Sequence, residues 1–190
     1  MAVTPTGLLV LRISGWIPIY AVALLAGVPD GPDYVHLAAL TPSVGLGIGA
    51  LLFLTLAGGP PIVWRISRSR LPSVVARAGY LLGRAAVEEI IWRAYVFGLV
   101  LQVAGAGPAF AVSTLGFAAA HLRNQGRQAW VHLVTGGAFA AVFYSTNSLT
   151  AAILAHWTYN MLVSLALESA RQAEATGEGP TTLWPRARPS

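Results

Sequence analysis

The chain is 190 residues long, 55% hydrophobic and 10% charged, with a net charge of +5, a mean hydropathy of +0.63 and no cysteine. Soluble domains carry roughly a quarter charged residues, so this composition excludes an ordinary water-soluble domain and points to lipid as the main solvent. The missing Cys excludes disulfide frameworks, thiol nucleophiles and thiolate metal sites. All 12 basic residues are Arg, set between apolar runs, which reads as contact with a membrane surface and not with nucleic acid.

Six apolar runs succeed one another, at about 7–27, 35–57, 80–104, 108–122, 129–145 and 148–168. A helix needs about 20 residues to cross a hydrocarbon layer about 30 Å thick. The pattern predicts an all-α polytopic transmembrane helix bundle of about six spans. The first run contains Arg12 and Pro18, and the proline should kink its helix. No basic stretch precedes that run, so it reads as an uncleaved helix and not a signal peptide. The fourth run comes after Gly105, Gly107 and Pro108 and is short, as is the fifth.

The connections set the orientation. Residues 29–34 hold Asp30 and Asp33 without Arg, and the turns around Gly105 and Asn147 carry no charge. The opposite side collects Arg65, Arg68, Arg70, Arg77, Arg123, Arg127, Arg171, Arg186 and Arg188. The positive-inside rule then puts both termini in the cytoplasm of a cell (inner) membrane. Residues 64–76 suit an interfacial loop or a short amphipathic helix. Residues 1–168 read as a single membrane domain, and 169–190, rich in polar residues and proline, as a mobile cytoplasmic tail.

The third run carries Glu88, Glu89 and Arg93. Each charge costs about 2.5–3.5 kcal/mol near the middle of a membrane, more in sum than the apolar residues of that run return. This helix must therefore face the bundle interior or a polar intramembrane cavity. Glu89 and Arg93 are four residues apart on one face, with Glu N-terminal, the better order for an ion pair. Glu88 points about 100° away and is left for other work. Two neighbouring carboxylates in a low dielectric suit general acid or base chemistry. In the fourth run His121 comes one turn after Phe117, and in the sixth His156 and Asn160 share a face. A Glu pair, two His and an Asn on three helices form a polar cluster that a purely structural bundle does not need. His132 and His36 read as interfacial and are left out of it.

Glu88-Glu89-Ile90-Ile91-Trp92-Arg93 reads EExxxR, Phe117 to His121 reads FxxxH, and His156 to Asn160 reads HxxxN, in that order. In these motifs the chain resembles the CPBP, or Abi, family of intramembrane proteases, related to the Rce1-type CAAX prenyl endopeptidases. The resemblance covers roughly residues 80–165. It implies a glutamic-type endopeptidase that cuts a peptide bond in or beside the membrane. Glu88 and His121 would position and deprotonate a water, and His156 and Asn160 would stabilise the oxyanion. Glu89 and Arg93 would support the site, although the two glutamates could exchange roles. Read from chemistry alone, a carboxylate is a base, and a neutral amide such as Asn160 suits developing negative charge in a dry site.

No cofactor is expected. Zinc on two His and a Glu is the alternative, disfavoured by the lack of an HExxH helix and of Cys. The expected partners are a membrane-associated peptide or protein substrate and the lipid bilayer, with oligomeric state left open. A non-catalytic protein that binds peptide through the same pocket, in immunity or sorting, is the competing class. A proton-coupled transporter is the third, and the missing inverted repeat counts against it. The Lys-free, Ala- and Gly-rich composition reads as that of a GC-rich bacterial genome. There the expected substrates are leader peptides, bacteriocin precursors or C-terminal membrane anchors, in place of prenylated CAAX proteins.

Overall fold

The computed structural model describes residues 41–57 and 71–176. Within them only Ala57, Gly105, Asn147 and Ser148 are non-helical, and no strand occurs among the described residues. The all-α expectation therefore holds for this part of the chain. The helix expected at 7–27, His36, Asp30, Asp33, Arg65, Arg68 and Arg70 lie outside it, as does the tail beyond residue 176. By backbone packing the chain divides into two compact units. One holds Ala86–Leu149, and the other takes the described residues of His36–Ala85 and Thr150–Ser190.

The second of these units contains α1 (Thr41–Leu56), most of α2 (Leu71–Glu89) and, from residue 150 on, α6 (Leu149–Thr176). Gly45 and Gly49, one turn apart on α1, let its backbone approach α6. A Cβ at Gly45 would collide with the Ala151 carbonyl oxygen, and one at Gly49 with the Ala155 carbonyl oxygen and the Thr158 Cβ. Small residues at this spacing are how helices pack closely where burial of apolar surface gives no drive. The opening residues of α2 are tied to α6 by polar contacts. Arg77 donates to Ser164 Oγ at 3.2 Å and pairs with Glu168, while Trp157 Nε1 donates to the Ala78 carbonyl at 2.9 Å.

Two boundaries differ from the expectation. Helix α2 begins at Leu71 and not near residue 80, so Arg77 stands inside a helix and not in a loop. Pro72 does not prevent this, because a proline in the first turn removes an N–H that has no helical partner there. Helix α6 runs past Glu168 to Thr176. Among the described residues one helix, Leu149–Ala175, is long and apolar enough by itself to cross a membrane. Helix α1 is apolar but has only 16 residues.

In the other unit the helical path of α2 continues without interruption into a π-helical segment, Ile90–Phe97, and then α3 (Gly98–Ala104). The Gly98 N–H reaches back to the carbonyl of Arg93, five residues earlier. Gly105, at φ 84°, turns the chain into α4 (Ala106–Gln125), a conformation that a side chain disfavours. A 3-10 turn (Gly126–Trp130) leads to α5 (Val131–Thr146), which ends at Asn147 in the left-handed conformation that Asn tolerates. Ala109, Ser113, Phe117 and His121 are buried along one face of α4, at four-residue spacing. Val131, Thr135, Gly136, Phe139, Ala140 and Val142 are buried on α5. Phe97, Ala109 and Ala140 centre the apolar core, with Phe110 and Phe143 edge-on to Phe97 at ring separations of 5.1 and 5.8 Å.

Candidate active site

The EExxxR sequence straddles the change from α to π geometry: Glu88 and Glu89 end α2, and Arg93 lies within the π segment. Such segments close hydrogen bonds over five residues and so rotate the downstream residues relative to a continuous α-helix. Two features of α4 accommodate this one. Ser113 Oγ donates to the Trp92 carbonyl at 2.8 Å, and Gly116 leaves room for the Trp92 ring, which a Cβ there would strike.

Arg93 and Glu89 form the pair that their spacing predicts, with Nε 3.1 Å from Glu89 Oε2 and both side chains 0% exposed. Arg93 Nη2 donates to the Gly136 carbonyl at 2.8 Å. The guanidinium carbon lies 4.7 Å from the centre of the Phe117 ring, a cation–π contact. Phe117 is thus held from several sides. Arg93 covers a face, His121 packs beside it at 4.8 Å, and His132 meets it edge-on at 5.5 Å. Gly136 makes room for it, since a Cβ there would lie 2.8 Å from Phe117 Cδ1.

His121 is fixed through its own helix. Its Nδ1 is 2.8 Å from the Phe117 carbonyl oxygen. A carbonyl only accepts, so Nδ1 carries the hydrogen, and in the neutral ring Nε2 presents a lone pair. That nitrogen faces Glu88 Oε2 at 3.7 Å, with the two side chains 9% and 12% exposed. The contrast with the sealed Glu89–Arg93 pair separates the two carboxylates. Glu89 is paired directly with Arg93, whereas Glu88 Oε2 faces the His121 imidazole at 3.7 Å, beyond the reach of a direct hydrogen bond.

Of the six residues singled out on sequence, this unit brings together Glu88, Glu89, Arg93 and His121. His156 and Asn160 belong to the other unit, four apart on α6, with His156 buried and Asn160 half-buried. Among the described residues no three His, Asp or Glu side chains are arranged to hold a metal ion.

Sequence reasoning passed over His132, Gly136 and Ser113. The sequence reads His132 as interfacial, yet its ring stacks on His121 at 3.9 Å and 27°. Its Nε2 donates to Gln125 Oε1 at 2.9 Å. Only the eleven-residue interval between the two histidines hinted at this, and nothing in the sequence says that a 3-10 turn folds one over the other.

A family model described as type II CAAX prenyl endopeptidase, Rce1-like, matches residues 68–162, half of the chain, and spans all six of these residues. No curated protein and no solved structure matches the chain.

Proposed function

The chain belongs to the Rce1-like family of membrane-embedded peptidases, and from that premise we propose that it hydrolyses a peptide bond in or beside the membrane with a water activated by Glu88 and His121. The observation that carries this reading is the 3.7 Å approach of Glu88 Oε2 to His121 Nε2, with His121 Nδ1 tied to the Phe117 carbonyl. A water beside this pair that donates one hydrogen to Glu88 and one to the Nε2 of a neutral His121 keeps its oxygen lone pairs free to attack a carbonyl carbon. Glu88 then takes the proton as the oxygen–carbon bond forms, and delivers it to the amine as the carbon–nitrogen bond breaks. Glu89 and Arg93 hold the helix that carries Glu88. For His156 and Asn160, donation to the oxyanion is proposed on their donor chemistry and their shared face of α6.

The same reading includes a multi-pass bundle of about six spans with both termini in the cytoplasm, supported by the distribution of Arg. The test is cleavage of an internally quenched farnesylated CAAX peptide, beside its unprenylated form, by the full chain in proteoliposomes. Turnover that falls about 10²–10⁴-fold in Glu88→Gln and His121→Ala is expected. Turnover unaffected by Glu88→Gln would overturn the mechanism. A peptide cut equally well without its prenyl group would redirect the substrate search to unmodified membrane anchors and leaders. Activity that survives a chelator supports the metal-free mechanism, and stoichiometric zinc whose removal abolishes turnover would replace it. A cellular phenotype retained by Glu88→Gln, with no cleavage, would favour a peptide-binding role.

A further inference from the structure

We propose that His132 is a positioning residue for His121, holding that imidazole with Nε2 turned to Glu88. The proposal rests on the reading of His121 as part of the water-activating pair. A histidine ring has two soft torsions, and the single bond from Nδ1 to the Phe117 carbonyl leaves the ring able to tilt about that bond or to flip. Flipping would put Cδ2 where Nδ1 stands and Cε1 where Nε2 stands, which breaks the bond to the Phe117 carbonyl and turns a carbon toward Glu88.

The structure supplies two flat surfaces against this. Phe117 lies beside the His121 ring at 4.8 Å and 52°, and His132 stacks on it at 3.9 Å and 27°. The second surface is itself anchored twice. Its Nε2–H is taken by Gln125 Oε1 at 2.9 Å, and its edge meets Phe117 at 5.5 Å and 79°. Gln125 is the last residue of α4 and His132 the second of α5, so the 3-10 turn between them closes a clamp over His121. An aliphatic side chain at 132 would fill the same volume. It would give neither a flat face to stack nor a hydrogen for Gln125.

The groups facing His121 are Glu88 from α2 and His132 from α5, with Arg93 behind the Phe117 ring. The clamp works by shape and by one amide acceptor, and adds no proton-carrying step of its own.

The test uses the full chain, labelled with ¹⁵N in its histidine rings and reconstituted in lipid nanodiscs. The His121 signals are identified by their loss in His121→Ala. Ring ¹⁵N shifts distinguish the nitrogen that bears hydrogen from the one that does not. The wild type is expected to show one tautomer, with hydrogen on Nδ1. His132→Leu should show both tautomers, or signals broadened by exchange, and His132→Phe should restore one. In parallel, kcat on the quenched peptide should fall about tenfold or more in His132→Leu and recover in His132→Phe, with KM changed less than about twofold in both. If His132→Leu does not accumulate as folded protein, His132→Met, likewise without a flat ring, takes its place, with the same mixed tautomers expected. A single unchanged His121 tautomer without the stacked ring, or no recovery with Phe, overturns the proposal. If the wild type cuts no peptide, the protease reading fails, while the tautomer measurement still decides the role of His132.

Discussion

Arg93 shows how a full charge is kept away from solvent. Its side chain is 0% exposed, and its partners are Glu89 Oε2, the Gly136 carbonyl and the Phe117 ring face. Removing one member of such a pair strands the other, at a cost of about 3–5 kcal/mol, whereas replacing both with apolar residues of similar size can be close to neutral. Arg93→Leu should therefore unfold at markedly lower denaturant or temperature than the wild type in detergent. Glu89→Leu together with Arg93→Leu should recover much of the loss. Additive losses in the double variant would show that the pair is not coupled. Glu88→Gln is different in kind: it keeps the size of a partly exposed side chain, so its melting temperature should stay near that of the wild type while turnover collapses.

At the scale of the elements, the π segment depends on what α4 and α5 offer it. The Ser113 hydroxyl meets the Trp92 carbonyl, and a half-buried hydrogen bond of this kind contributes about 1 kcal/mol. Ser113→Ala should lower stability by about that much. It should lower turnover beyond what the stability loss explains, because it frees the segment immediately after Glu88 and Glu89. Gly136→Ala puts a methyl group 2.8 Å from Phe117 Cδ1. Overpacking costs about 1–3 kcal/mol, and the displaced ring here is the one beside His121, so stability and turnover should fall together. A variant stable as the wild type would show that Phe117 yields freely. In the other unit, Gly49→Leu should separate α1 from α6, read as a fall in melting temperature with the Arg77–Glu168 pair left in place.

For the molecule as a whole, the natural absence of Cys makes orientation directly measurable. Asn124→Cys, at the end of α4, and Ser145→Cys, near the end of α5, both replace exposed residues. A membrane-impermeant thiol reagent is expected to reach the first only from the cytoplasmic face and the second only from the opposite face, as the positive-inside rule requires. Labelling of both from one side would show that α5 does not cross. The exposed Val103, Val112, Leu115, Leu122 and Trp130 fit a unit whose outer surface is covered by lipid.

Local geometry carried much of this protein in the order of its residues. Apolar runs separated by Gly, Pro and Arg marked α4, α5 and α6, because lipid demands backbone bonds closed within each segment. Four-residue spacing foretold the Glu89–Arg93 pair and set Phe117 beside His121, because neighbours one turn apart must meet on any helix. Neither the π segment nor the true start of α2 could be read this way. An almost wholly apolar stretch has no period to disturb, and Arg77 looks like a loop residue until Ser164 and Glu168, far along the chain, receive it. Gly136 and Ser113 are silent in the same way, and the interval from His121 to His132 is a hint without a geometry. What each does is decided by a surface on another helix, and only the folded packing brings those surfaces into contact.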